Sequence, residues 1–201
     1  MVDGSIKLCR ATKKHKDDPT IEQYNDGNFI AVVGRAGIVT VIAAFDRYFT
    51  TRFSECVVPI LKNEGPSDGL LKILAAAGLD LKGALGLLHI QRPHRRIRTL
   101  VDNHFSDYTT QKFHVIDELF KSIGIANLTA NAEKKAKKKT LRTSIEGLVR
   151  RRHVIVHVGD VDIRGNLRVL YPYDALKRID HVKFLVENAN EIIENRLQKC
   201  K

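Results

Sequence analysis

Three residues in one short segment, Arg152, His153 and His157, have side chains suited to chemistry at a phosphate group. An imidazole exchanges a proton near neutral pH, so a histidine can act as a general acid or a general base. A guanidinium stays charged and needs a partner when it is buried, and a phosphate is one such partner. The segment therefore predicts a site that holds a phosphate and moves a proton, with a plainly structural role for each side chain as the alternative.

The spacing of the two histidines is also compatible with metal binding. Residues four apart lie on the same side of a helix, so His153 and His157 could face one ion together. However, no Glu follows the first histidine as it does in the helical metalloprotease motif, and no third ligand is evident from the sequence. We therefore expect no metal and no other cofactor.

The neighbouring positions predict how a helix would present these residues. At about 100° per residue the apolar side chains form one stripe. This stripe contains Leu141, Ile145, Leu148, Val149, Ile155 and Val156. Arg152 lies in the middle of the stripe, whereas Arg150, His153 and His157 lie on the polar face. The β-branched residues 154–156 would also suit a strand, and propensity alone does not decide between helix and strand.

The whole chain is basic. Its 201 residues include 34 Lys and Arg against 23 Asp and Glu, which gives a formal charge of +11. Such a field attracts polyanions, and nucleic acid is the polyanion that we expect as a partner. Cys9, Cys56 and Cys200 fit neither a disulfide framework nor a zinc pattern, so we expect a reducing, cytoplasmic location.

Hydrophobic patterns predict an all-α fold. We expect a polar N-terminal segment over residues 1–27 and a single domain over residues 28–201. A first helix is expected from about Asn28 to Glu55, with a kink or a new start at Pro59. Because Arg35 interrupts its most apolar stretch, we expect a buried core helix and not a membrane span. Two short apolar pieces follow at residues 70–77 and 81–90. Further helices are expected within residues 94–104, with Pro93 as the first-turn proline, and within residues 108–123 and 176–197. A short β-hairpin is expected within residues 161–170.

A basic run follows residues 127–131, which are expected to form a polar break. The run over residues 133–139 predicts either the solvated first turn of the next helix or a patch that contacts phosphate. In the second interpretation, the nucleic-acid-binding residues are Lys134, Lys135, Lys137, Lys138, Arg150 and Arg151.

The segment around the histidines resembles the motif of the HEPN superfamily. That motif is an arginine, a polar residue, three further positions and a histidine, which here are Arg152 to His157. The basic stretch and the glycine over residues 148–160 are similar to the wider pattern of the superfamily. The RiboL-PSP type also has a long early apolar helix with an acidic-aromatic patch, which residues 44–49 resemble. The helical order over residues 28–200 agrees with this resemblance.

The resemblance implies an α-helical bundle, a homodimer and a metal-independent endoribonuclease in which Arg152, His153 and His157 are catalytic. It implies attack by the RNA 2′-hydroxyl and favours a helix for residues 154–156. Many proteins of this kind act in toxin–antitoxin or anti-phage systems, so we expect an antitoxin or another regulatory protein as a further partner. The alternatives are a non-catalytic HEPN module that binds RNA, a nucleotide or a protein, and a DNA-binding helical protein.

The positions of Arg152 and His157 on one helix add a constraint. Five residues correspond to a rotation of about 140° on an ideal helix, so one straight helix does not aim both side chains at one point. Either the helix end before Gly159 distorts, or the long side chain of Arg152 wraps around the helix, or a second subunit completes the site. The pair favours the last of these, a composite site at a dimer groove that is lined by Arg152 and edged by His153 and His157.

Overall fold

The computed structural model describes residues 27–106 and 108–199, and these residues form an all-α fold, as predicted. Eight helices follow one another in this part of the chain. They are α1 (Gly27–Asn63), α2 (Asp68–Ala76), α3 (Leu81–Gly86), α4 (Pro93–His104), α5 (Phe113–Lys121), α6 (Leu128–Lys135), α7 (Leu141–Val158) and α8 (Pro172–Gln198), with a 3₁₀ turn at Leu87–His89 after α3. The polar segment expected over residues 1–27, apart from Gly27, and the cysteines at 9 and 200 lie outside the described residues.

Helix α1 is longer than the sequence pattern predicts. It does not end near Glu55 but continues through Pro59 to Asn63. A proline inside a helix removes one backbone hydrogen bond. Val57 and Ile60 on either side of it are buried, and their burial offsets that loss. Among the described residues, no helix combines the length and the apolar character needed to cross a membrane.

The prediction for residues 127–139 is wrong in two respects. The expected polar break is the start of α6, whose first residues Leu128 and Thr129 are fully buried. The basic run forms the end of α6 and the turn after it, and not the first turn of α7. Cations are favourable at a helix C-terminus because of the helix dipole. Positive φ angles at Lys137 and Thr140 then separate α6 from α7.

The expected hairpin within residues 161–170 is a tight turn without strands in the described chain. One antiparallel bridge joins Val161 to Leu167. The carboxylate of Asp162 accepts hydrogen bonds from the backbone N–H groups of Arg164 and Asn166, at 2.8 and 2.9 Å. These local bonds close the turn at Gly165, which has a φ of 81°. Only one residue pair therefore has the geometry of a ladder.

The described residues divide into two compact units. The first, here called the motif unit, contains residues 27–44 and 140–184. The second, here called the aromatic unit, contains residues 45–106, 108–139 and 185–199. Helices α1 and α8 each contribute to both units. The expectation of one domain over residues 28–201 stays a prediction.

Six phenylalanines form the core of the aromatic unit. They are Phe45, Phe49, Phe53, Phe105, Phe113 and Phe120, and all six are buried. Their rings meet edge to face, with centroids 5.0 to 6.2 Å apart. This arrangement is favoured by the ring quadrupoles in addition to the apolar area buried. The segment that the resemblance assigns to an acidic-aromatic patch thus places Phe45 and Phe49 in this core.

The motif unit has an aliphatic core to which α7 contributes its first half. Leu141, Ile145 and Leu148, spaced four and three residues apart, are buried as the helical stripe predicts. Helix α7 ends at Gly159, which has a φ of 66° and donates its N–H to the carbonyl of Val154.

Candidate functional site

The two histidines of the motif lie together on the last turns of α7. The ring centroids of His153 and His157 are 4.4 Å apart, with an angle of 45° between the ring planes, and both side chains are exposed. Residues 154–156 between them are helical, as the resemblance favours. The prediction that both rings share one side of a helix is therefore confirmed. Two groups able to exchange protons stand side by side at an exposed helix end.

Arg152 lies one residue before this pair and is half-buried. Its Nε is inaccessible to solvent and has no hydrogen-bond partner among the described residues. A guanidinium cannot lose its charge, and a buried donor without an acceptor costs free energy. Because this Nε is not accessible, an anion would have to bind the terminal nitrogens of Arg152.

Asp160 anchors the chain directly after the end of α7. It is fully buried, and its Oδ2 accepts hydrogen bonds from Arg35 Nε and from a terminal nitrogen of Arg151, both at 2.7 Å. Arg151 also donates to the carbonyls of Arg168 and Val169, each at 3.3 Å. A buried carboxylate needs such cationic partners to remain charged. These two ion pairs thus fix the chain at Asp160, one residue beyond the cap of the helix that carries the histidines.

Asp160 is the residue of this site that the sequence analysis did not identify. Only its place after Gly159, at the end of a helix with three consecutive arginines, could have indicated it. Its φ of 61° lies in the left-handed region that aspartate adopts more readily than most residues. Its partner Arg35 is remote in sequence, so no local pattern reveals the contact.

The predicted nucleic-acid-binding residues fall in both units. Arg150 and Arg151 belong to the motif unit, and they line one cavity of about 550 Å³ together with Val154 and Tyr171. The four lysines belong to the aromatic unit. Of these, Lys135 pairs with Glu191 at 2.5 Å, and Lys134 and Lys137 are exposed. The RNA-binding role of all six residues stays a prediction.

Exposed apolar side chains accompany the motif. Between residues 156 and 173, those of Val156, Val158, Ile163, Leu167, Val169, Tyr171 and Tyr173 are between 48 and 102% exposed. Exposed apolar side chains are typical of a surface that binds another protein where they form one continuous patch, and the aromatic unit exposes a similar set at residues 71–90. Exposed apolar side chains thus lie on the half of α7 that carries the histidines and on the residues that follow this helix.

In the described part of the chain, no group of three or more His, Cys, Asp or Glu side chains is arranged to hold a metal ion. The groups that are available for chemistry here are imidazole, guanidinium and carboxylate.

A family model described as RiboL-PSP-HEPN matches residues 5–195. No curated protein and no solved structure shows a significant match to the chain. HEPN domains are often ribonucleases, and they often bind RNA or form dimers, so the match supports an RNA-related function. Because the model covers nearly the entire sequence, the chain belongs to the RiboL-PSP-HEPN family.

Proposed function

We propose that this protein is a metal-independent endoribonuclease whose site is built from Arg152, His153 and His157. The observation that carries the proposal is the combination at the end of α7. Two adjacent exposed imidazoles follow directly in the sequence after a half-buried arginine, whose Nε has no partner in the described chain. Family membership supports the coarser part of the proposal, an RNA-related function.

The proposed reaction uses the nucleophile that RNA itself carries. The 2′-oxygen attacks the adjacent phosphorus, its proton passes to a base, and the bond from phosphorus to the 5′-oxygen breaks. His157 either accepts the proton of the 2′-hydroxyl while water protonates the departing 5′-oxygen, or donates a proton to that oxygen while water accepts the first proton. Arg152 stabilises the charge that develops on the non-bridging oxygens. The products are a 2′,3′-cyclic phosphate and a 5′-hydroxyl end, and DNA is not cleaved because it lacks the 2′-oxygen.

We further propose that two copies of the chain form the complete site. Arg152 and His157 point in directions about 140° apart on one helix, so a second copy is needed to bring both groups to one phosphate. The exposed apolar side chains of residues 156–173 supply the surface for this contact. His153, 4.4 Å from His157, lies at the edge of the same groove and orients or shares its proton.

The cellular role that fits such an activity is control of RNA in a toxin–antitoxin or anti-phage system in the cytoplasm. An unrestrained ribonuclease harms its own cell, so this role requires an antitoxin or another regulatory protein that restrains the site. We include that partner in the proposal.

The test is cleavage of total RNA in the presence of EDTA by wild type and by His157→Ala. We expect the variant to be slower by about 10²- to 10⁴-fold, the range that a general acid or base contributes. His114→Ala, which removes an exposed histidine from α5, is the matched control and should cleave like wild type. An oligonucleotide with one 2′-deoxy residue at the cleaved position should resist all three proteins.

Three outcomes contradict the proposal in whole or in part. If purified His157→Ala and Arg152→Ala both cleave like wild type, the site is misassigned. If wild type binds RNA tightly but never cleaves it, the protein is a non-catalytic HEPN module. A requirement for added metal would contradict the mechanism while leaving a nuclease activity in place.

A further inference from the structure

A second group of cationic side chains surrounds a cavity of about 450 Å³ in the motif unit, between α7 and the first half of α8. We call this cavity the basic pocket. Its lining includes Ser144, Gly147 and Arg150 from α7, and Lys177, Arg178 and His181 from α8. Apart from Arg150, none of these residues belongs to the site proposed above.

Among the described residues, the cationic side chains that line the basic pocket outnumber its acidic ones. Within residues 27–106 and 108–199, Arg150, Lys177 and Arg178 make no ion pair. Asp174 is the single carboxylate among the described lining residues, so the positive charges outnumber it. Like charges that converge on one cavity repel each other, and a bound anion removes that repulsion.

Gly147 gives Arg178 its place in the pocket. A Cβ atom at residue 147 would lie only 2.7 Å from Nη1 of Arg178. The guanidinium therefore rests against the backbone of α7, and an added Cβ would require the end of this exposed side chain to shift. Glycine is unfavourable in the middle of a helix. At position 147 the missing side chain allows the guanidinium of Arg178 to approach the helix backbone closely.

A polar contact joins the two helices at the same place. Nδ1 of His181 and Oγ of Ser144 are 2.8 Å apart. The imidazole and the hydroxyl thus add polar groups beside the guanidinium of Arg178. Guanidinium, ammonium and hydroxyl groups around one cavity match the oxygens of a phosphate.

The basic pocket continues the line of the two motif histidines along α7. Arg150, His153 and His157 are spaced three and four residues apart and are all exposed, so they occupy one face of the helix. The rise from Arg150 to His157 is about 10 Å along the helix axis. A strand whose cleaved phosphate lies at His157 can follow this face and reach the pocket with another phosphate.

We propose that the basic pocket binds a backbone phosphate of the RNA strand, a few nucleotides from the bond that is cleaved. The identity of the strand rests on the proposed ribonuclease function. Arg178 is the main contact, Lys177 and Arg150 add charge, and Gly147 is the positioning residue that admits Arg178.

The experiment measures binding and not cleavage, so it remains informative if the protein cleaves nothing. A labelled oligoribonucleotide is titrated with the full chain carrying His157→Ala, at several salt concentrations. We expect Arg178→Gln in this background to weaken binding roughly tenfold, as loss of a charge-assisted contact does. The slope of log affinity against log salt should fall by about 0.7 for the one lost phosphate contact on a single strand. Arg95→Gln on α4, an exposed arginine outside the pocket, is the charge-matched control and should change affinity less than Arg178→Gln.

Gly147→Ala distinguishes the effect of the charge of Arg178 from the effect of its position. It removes no charge, but its Cβ moves Arg178, so we expect several-fold weaker RNA binding with an unchanged or raised melting temperature. Gly86→Ala, where an added Cβ meets nothing within 4 Å, is the matched control and should bind like its parent.

A neutral methylphosphonate placed at each position of the oligonucleotide then locates the contact. One position a few nucleotides from the cleaved bond should weaken binding to the parent but not to Arg178→Gln, because the two changes remove the same interaction. Equal effects of Arg178→Gln and Arg95→Gln would overturn the proposal. Binding of inorganic phosphate that depends on Arg178, with RNA binding unaffected, would also overturn it and assign the pocket to a free phosphate. Cleavage by wild type in either case leaves the ribonuclease proposal intact.

Discussion

Asp117 and Asp46 of the aromatic unit take a different kind of partner from Asp160 of the motif unit. In the aromatic unit, Asp117 accepts hydrogen bonds from the backbone N–H and the hydroxyl of Thr129, at 2.7 and 2.8 Å. Asp46 accepts from the same two groups of Thr110. In the motif unit, Asp160 accepts from two guanidiniums instead. The first two carboxylates tie neutral chain segments together, whereas the third holds two cations in place.

The burial of apolar residues also differs between the phenylalanine core of the aromatic unit and the end of α7 in the motif unit. The aromatic unit surrounds its phenylalanines with buried aliphatic residues. In the motif unit, no residue of α7 after Leu148 is fully buried, and the side chains of Val156 and Val158 are 48 and 56% exposed. Folding therefore explains the buried residues of the aromatic unit, although this unit also exposes Leu81, Leu85 and Leu88. Burial does not explain the apolar residues at the end of α7.

Replacing Asp160, the carboxylate that pairs with two arginines, tests the difference between the two units most directly. We expect Asp160→Ala to lower the free energy of unfolding by about 2 kcal/mol, because two partly buried guanidiniums lose their acceptor. We also expect cleavage to fall roughly 10- to 100-fold, since small displacements of reacting groups have effects of that size. Chemical denaturation and cleavage of a labelled RNA measure the two quantities.

Asp117→Ala is the matched control in the aromatic unit. It removes the acceptor of two hydrogen bonds at the start of α6, so a loss of about 1–2 kcal/mol in unfolding free energy is expected. Its specific cleavage activity at a temperature where it is folded should match that of wild type. If Asp117→Ala impairs cleavage as much as Asp160→Ala does, the proposed division of roles between the units is wrong.

The helices that the sequence predicts well are those whose burial follows a local period. Helix α8 shows the expected repeat of apolar residues, and α4 begins at Pro93 as a first-turn proline predicts. Two features depend on tertiary contacts and were missed. The chain continues as a helix through Pro59 because its neighbours are buried, and α6 begins at Leu128 because Asp117, remote in sequence, binds the N–H of Thr129.

The same distinction applies to the candidate site. The proximity of His153 and His157 follows from a spacing of four residues, so the sequence was sufficient to predict it. Asp160 with Arg35, and Gly147 with Arg178, join residues far apart in sequence. No periodic pattern encodes such contacts, because each depends on how two elements pack.

Substitution of an exposed valine of α7 tests whether the end of this helix forms the proposed dimer interface. We expect Val156→Asp to change the unfolding free energy of the subunit by no more than about 0.5 kcal/mol, since the side chain is at the surface. The dissociation constant of the proposed dimer should rise roughly 100-fold, because an unpaired carboxylate in an interface costs several kcal/mol. Sedimentation at several protein concentrations measures this change.

Leu88→Asp provides the control for the valine substitution. Leu88 belongs to the aromatic unit and is 77% exposed, so it is at least as accessible as Val156. We expect its replacement to leave the oligomeric state unchanged. Dissociation by Leu88→Asp and not by Val156→Asp would move the dimer interface away from the motif.

The smallest expected effect concerns Asp162, an acidic residue whose partners are backbone amides. The N–H of Asn166, with that of Arg164 and the charge of Arg168, lowers the pKa of Asp162 below its usual value of 3.8. A lowered pKa in the folded state means that ionised Asp162 stabilises the fold above the pKa of the unfolded chain. This contribution is lost as the pH falls through the lower pKa of the folded state.

The difference in melting temperature between wild type and Asp162→Asn should therefore be constant from neutral pH down to about pH 5 and shrink below about pH 4. The effect is small because this carboxylate is open to water, where charge interactions are screened. A difference that stays constant down to pH 2 would show that the turn depends on the shape of the side chain and not on its charge.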